Sequence, residues 1–106
     1  MYSNVKLIDR ILGVVNRTAP DSQVFLFGSR ARGTASKTSD WDVLILMNKS
    51  KISFSDETSF MDAFYELELE TGEVLSPLIY TKNEWKKKYS KTPLFENIKR
   101  EGIKIL

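Results

Sequence analysis

Cysteine and histidine are both absent from the 106 residues, and together these absences remove much of the usual site chemistry. Without cysteine there is neither a disulfide framework nor a thiolate zinc site, and without histidine there is no imidazole ligand or base. Chemistry in this chain falls to carboxylates, hydroxyls, lysine, arginine and backbone groups. Long apolar runs are missing too: none approaches the roughly 18 to 20 residues that span a bilayer, and the N-terminal MYSNVKLIDR lacks the apolar core of a signal peptide. A cytoplasmic protein with no membrane association is expected. No repeats, linkers or low-complexity tracts interrupt the sequence. Its length suits one domain over 1–106 with a modest core, and leaves no room for a separate substrate domain.

Basic residues are missing locally. Residues 52–81 hold seven acids and no Lys or Arg, whereas 82–106 hold eight bases against three acids. The asymmetry suggests a surface for a charged partner, although each half taken alone also reads as a solvated helix face. Lys82, Lys86, Lys87, Lys88 and Lys91 lie near Trp85 and Tyr89, but five lysines without a recognition motif do not establish nucleic-acid binding.

Val5, Ile8, Ile11, Leu12 and Val15 recur at helical spacing, predicting a helix over 4–17 that Ser3 or Asn4 can cap. QVFLF (23–27) and Trp41 to Met47 are short apolar runs suited to buried strands. A short helix is expected over 29–35. A longer helix over 56–70 carries Phe60, Met61, Phe64 and Leu67 at helical spacing, and acids in its first turn. Val74 to Tyr80 reads as a third strand, placed at an edge or a bulge by Pro77. A short helix or connector then covers Tyr80 to Tyr89. Thr92-Pro93 opens a last helix running to about Arg100. The sum is a small α/β (α+β) domain: a three-stranded mixed sheet with helices mainly on one face. Phe54, Phe60, Phe64, Trp85, Tyr89 and Phe95 are read as core rather than as base-stacking positions.

The stretch FGSRARGTASKTSDWDV (27–43) carries the chemistry. Gly28 and Ser29 sit where a strand feeds a helix, so the backbone can approach a ligand closely and unpaired amides face it, a setting suited to phosphate. Arg30 and Arg32 add positive charge, and Gly33 releases the helix after a turn. The stretch lacks the Lys-Ser/Thr ending of a P-loop and is not G-x-G-x-x-G. Asp40 and Asp42, two apart on a strand, share a face and can converge on a hard cation such as Mg²⁺. Taken alone the pair has a second reading, in which Asp40 closes a turn and Asp42 faces solvent. Trp41 points to the opposite face. Turn and acid pair together place a triphosphate beside a divalent ion, predicting phosphoryl or nucleotidyl transfer.

Gly28, Ser29, Ala31, Arg32, Gly33, Ser39, Asp40 and Asp42 resemble the signature of the minimal nucleotidyltransferases of the DNA polymerase β superfamily, a dense match over about fifteen residues. The resemblance implies that Gly28, Ser29, Arg32, Gly33 and Ser39 bind the nucleotide and that Asp40 and Asp42 are catalytic and bind Mg²⁺, two ions in the active complex. It implies transfer of a nucleoside monophosphate from an NTP such as ATP to an acceptor hydroxyl, with release of pyrophosphate. It also implies a third carboxylate on the strand after the long helix, where Ser76 stands here; Glu70 and Glu73 are the nearby acids considered as substitutes for it. Two readings follow: an Mg-dependent nucleotidyltransferase with a weakened third ligand, or a nucleotide-binding antitoxin-type protein without efficient catalysis. Stand-alone domains of this kind are often encoded beside an all-helical HEPN-class protein, and some modify that neighbour. Such a partner, or a homo-oligomer, would complete the site.

Overall fold

In the computed structural model, which describes residues 4–36 and 39–106, the chain runs α1 (Asn4–Thr18), β1 (Gln23–Phe27), α2 (Gly28–Arg32), β2 (Trp41–Met47), α3 (Phe54–Thr71), β3 (Leu75–Thr81), α4 (Lys82–Lys88), α5 (Pro93–Glu101) and β4 (Ile103–Lys104). Local chemistry sets most boundaries. Ser53 caps α3 by accepting from the Asp56 amide, and the Asp56 carboxylate reaches back to the Ser53 amide. This reciprocal pairing satisfies two otherwise orphaned donors. Thr81 and Glu84 repeat the arrangement at α4. Thr92 caps α5 with Pro93 in its first turn, as the sequence predicts. The expected cap of α1 at Ser3 or Asn4 falls on side chains outside those described.

The sheet has four strands in the order β3-β2-β1-β4. Strand β1 pairs antiparallel with β2 and β4, whereas β3 pairs parallel with β2. The sheet is therefore mixed, and Pro77 lies on its edge strand. A parallel neighbour needs a crossover connection, and α3 supplies it. The expectation of three strands is corrected by β4, whose two residues are too short to show a periodic pattern. Gly102 explains its position: a Cβ there would collide with the Ile98 carbonyl that accepts the Gly102 amide. The chain then turns back along β1, where the Ile105 amide donates to the Val24 carbonyl at 2.8 Å.

Strand alternation divides the apolar residues between two layers. Val24 and Leu26 of β1, with Trp41, Val43, Ile45 and Met47 of β2, face the main core under α1 and α3. Leu44 and Leu46 face the other way, into a smaller cluster with Trp85 of α4 and Ile98 of α5. The two long helices thus share one face, and the two short C-terminal helices cover the other. On α3, Phe60, Phe64 and Leu67 are buried, but Met61 and Phe54 are not: Phe54 is 86% exposed. That overturns its reading as a core residue. Phe54 opens α3, ahead of the turns whose Phe60, Phe64 and Leu67 enter the core. No helix among the described residues is long and apolar enough to cross a membrane.

Candidate functional site

The candidate site lies where β1 ends and β2 begins. Antiparallel pairing sets Phe27 opposite Asp42, and the parallel ladder sets Ser76 on its other side. Residues opposed in register present their side chains to one face, so Phe27, Asp42 and Ser76 form a row at the sheet's end. Asp40 joins it from the residue pair before the strand. The Ser76 hydroxyl donates to Asp40 Oδ2 at 3.1 Å. Trp41 takes the opposite face and is almost fully buried, as alternation requires.

Gly28 is placed against this row. Its φ is +71°, a conformation that favours glycine, and a Cβ at this position would overlap the Asp42 carboxylate. The glycine therefore does two things: it lets the chain turn from β1 into α2, and it lets a carboxylate rest against backbone. Phe27 caps α2 without a side-chain acceptor of its own, so the N-cap residue does not occupy the first amides of the turn. Gly33 ends α2 in a left-handed conformation, its amide donating to the Ser29 carbonyl. Among the described residues, no atom lies within 4 Å of a Cβ built at Gly33.

Burial pushes the Asp42 carboxyl above its ordinary range, and the charge of Asp40 pushes it the same way; the charge of Arg32 opposes both. Two acids thus share a partly desolvated site with one basic side chain near enough to matter. Arg32 itself is exposed and pairs with Glu101 at 3.4 Å. Among the described residues, no group of three or more His, Cys, Asp or Glu side chains converges; the acidic centre is a pair plus a hydroxyl.

Arg30 does something different from Arg32. Its guanidinium lies over the Trp41 ring, 4.6 Å from the centroid. It donates to the Ser39 carbonyl at 2.9 Å and reaches Glu73 at 3.5 Å, and Glu73 also accepts from the Trp41 indole at 3.2 Å. Arg30, Trp41 and Glu73 thereby tie α2, the backbone just before Asp40 and the segment leading into β3 into one largely buried unit. The Ser39 hydroxyl accepts from the Ser36 amide at 2.9 Å, so this serine, rather than Asp40, closes the local turn. Lys37 and Thr38 of the quoted stretch lie outside the described residues.

The profile of the nucleotidyltransferase domain family matches residues 8–104. The chain belongs to that family. Among solved structures, this nucleotidyltransferase domain resembles a toxin–antitoxin protein crystallised with AMP-PNP, with a TM-score of 0.67 and 17% identity over 93% of this chain and 72% of the other. It also resembles a Sulfolobus solfataricus protein assigned as a nucleotidyltransferase, with a TM-score of 0.56 and 19% identity over 94% of this chain and 79% of the other. At those identities the likeness is one of fold. No curated protein sequence matches the chain.

Of the positions singled out in the sequence, Gly28, Asp40 and Asp42 come together, with Ser29 and Arg32 on the adjoining helix. Neither glutamate near β3 reaches the acid pair. Glu70 is held by Arg10 through two hydrogen bonds of 2.7 and 2.5 Å on the exposed surface, and Glu73 is engaged with Arg30 and Trp41 on the opposite face. What the sequence did not reveal is the Arg30–Trp41–Glu73 unit. Its members are separated by up to 43 positions, and each has a self-sufficient local reading as a helix charge, a core aromatic or an exposed helix-end acid.

Proposed function

We propose that this domain binds a nucleoside triphosphate at the junction of β1 and α2 and transfers its nucleoside monophosphate to an acceptor hydroxyl, with a partner protein as the source of that hydroxyl. The observation that carries the reading is the abutment of the Gly28 backbone and the Asp42 carboxylate, with Asp40 beside them. It brings an anion-accepting turn and a cation-accepting pair into contact.

The donor set fits a magnesium ion. It consists of oxygen alone, and a hard cation takes one or two carboxylates and completes its shell with water and substrate phosphate. Burial first, and the Asp40 charge second, hold the Asp42 carboxyl above its ordinary range, with Arg32 opposing both. Asp40 and Asp42 would hold the metal. When bound there, magnesium supplies charge neutralisation for the phosphates and polarises the phosphoryl group under attack.

The chain's own residues orient the rest. Amides of the turn at Gly28 and Ser29 face the phosphates, and Arg32 contributes positive charge beside them. Ser76 fixes the Asp40 carboxylate by donating to one of its oxygens. The acceptor oxygen forms its bond to the α-phosphorus as the bond to the pyrophosphate oxygen breaks, and the hydroxyl proton passes to solvent. Serine has no basicity at neutral pH, so Ser76 cannot take that proton. Slow turnover is the consequence.

The test combines purified protein, Mg²⁺, labelled NTPs with ATP first, and candidate acceptor proteins. Labelled acceptor that disappears with Asp42→Ala supports transfer; its absence with every acceptor and every NTP refutes it. A second reading is supported by Ser76 and by the likeness to a toxin–antitoxin protein: an antitoxin-type domain that neutralises a HEPN-class partner by binding. Retained neutralisation in Asp40→Ala/Asp42→Ala selects that reading, and lost neutralisation removes it.

A further inference from the structure

Helix α3 carries two apolar faces, and only one is used by the fold. Phe60, Phe64 and Leu67 go into the core. Phe54, Met61, Tyr65 and Leu69 follow one another at intervals of seven, four and four residues, the spacing of a single helical stripe. They are 86%, 44%, 60% and 69% exposed. Val74, just past the helix, adds another exposed aliphatic side chain at 49%. A run of large apolar groups along one face is the usual mark of a contact surface, unlike apolar residues scattered singly. Beside Met61 the stripe borders a cavity of about 590 Å³ between α3 and the free edge of β3, lined by Ile52, Glu57, Pro77 and Ile79 among others.

The charges around the stripe say what fits it. Glu57, Glu84 and Lys51 line the cavity on the β3 side; Asp62 and Glu66 are exposed on the same helical line as Glu70, which Arg10 of α1 holds, so acids outnumber bases along the stripe. No Lys or Arg occurs anywhere from residue 52 to 81. A second copy meeting this helix by the same face would bring like charges together at short range. The chain's own basic helices are no better suited: Trp85 of α4 and Ile98 of α5 are turned into the sheet, leaving lysine-rich outer faces without an apolar stripe.

We propose that the outer face of α3 docks a helix of a different protein, one that presents its own apolar stripe rimmed by lysine and arginine. This rests on the partner-binding reading of the domain and not on nucleotide transfer. The apolar stripe supplies the contact area and the flanking acids select the partner's charge. Helix α3 packs on the face of the sheet that carries Trp41, opposite the face of Asp42.

The experiment is a fluorescence-anisotropy titration of the full chain, without nucleotide, using a synthetic 18-residue amphipathic helix of leucine and lysine and its leucine and glutamate counterpart. The lysine peptide is expected to bind at least ten times more tightly than the glutamate peptide, on the order of the discrimination that charge complementarity provides. Met61→Gln/Leu69→Gln, which changes no charge and replaces no buried core residue, is expected to weaken the lysine peptide about tenfold or more. Lys87→Gln on α4 serves as the control and leaves binding unchanged. Equal binding by Met61→Gln/Leu69→Gln overturns the proposal, because attraction would then be generic to an acidic surface. Self-association of the wild-type chain in sedimentation, lost in the same variant, also overturns it by making a second copy the occupant. An Asp42→Ala chain that binds the lysine peptide normally while failing in nucleotide transfer separates this surface from the transfer reading.

Discussion

Gly28→Ala is the sharpest probe of the site, because the structure divides its cost into two parts. The first is conformational: alanine at a φ of +71° is disfavoured by about 1–2 kcal/mol. The second is steric, since the new methyl and the Asp42 carboxylate cannot occupy the same space, and forcing that side chain off its rotamer adds roughly 1 kcal/mol. Gly33 isolates the first part, having a φ of +76° and, among the described residues, nothing within 4 Å of a built Cβ. Gly28→Ala should therefore lose about 2–3 kcal/mol in urea denaturation, and Gly33→Ala about 1–2 kcal/mol. Removing the carboxylate closes the cycle. In an Asp42→Ala background the nearest remaining atom of residue 42 lies 3.5 Å from the new methyl, an ordinary contact. There Gly28→Ala should fall to the Gly33→Ala value, a coupling of about 1 kcal/mol between two positions fourteen apart. Two independent substitutions add within roughly 0.5 kcal/mol; additivity at that level between Gly28→Ala and Asp42→Ala would refute the proposed abutment.

Asp42→Asn should raise stability at neutral pH, because burial and Asp40 hold the Asp42 carboxyl above its ordinary range. The folded chain binds that proton more tightly than the unfolded chain does, so folding opposes the charged form at pH 7, and the difference should vanish as denaturation is followed below the carboxylate range. Arg30→Lys should cost on the order of 1–2 kcal/mol in urea denaturation, since an ammonium cannot both cover Trp41 and bond Ser39 and Glu73 as a planar guanidinium does; wild-type stability in Arg30→Lys would show that the geometry is not used. Ser76→Asp would set a third carboxylate beside Asp40, lowering the melting temperature in EDTA and increasing the gain on adding Mg²⁺ relative to wild type. Ser53→Ala removes the acceptor for the Asp56 amide and should cost about 1 kcal/mol by thermal or urea denaturation. The associated Asp56 carboxyl, held below its ordinary range chiefly by its hydrogen bond from Lys49, contributes stability above its unfolded value that is lost as pH falls through its folded one.

Where a residue's role is set by its neighbours in sequence, the structure could be read in advance. Thr92 and Pro93 announce α5, Pro77 places β3 at an edge, and the alternation around Trp41 puts the ring on one face and both aspartates on the other. Where two local readings compete, sequence could not choose. Helix α3 offers apolar residues around much of its circumference, so spacing alone groups Met61 with Phe60 and Phe64; only packing against β2 and β3 decides which of them turns inward. Arg30 resembles any other arginine after a glycine turn until Trp41 and Glu73 arrive beneath it. Strand β4 carries too few residues for any periodic signal, and it exists because Gly102 redirects the chain and β1 has a free edge.

The acid pair and the hydroxyl that steadies it come from strands joined in parallel, 36 positions apart, with all of α3 between them. Parallel pairing of this kind demands closure of a long loop before any contact rewards it, so it forms later than the antiparallel contact of β1 with β2. Pairing of β1 with β2 sets Phe27 opposite Asp42, whereas the hydrogen bond from Ser76 to Asp40 and the contact of Arg30 with Glu73 both need the segment beyond α3. Ordering of the Asp40 carboxylate by Ser76 is thus expected to wait on closure of the crossover through α3.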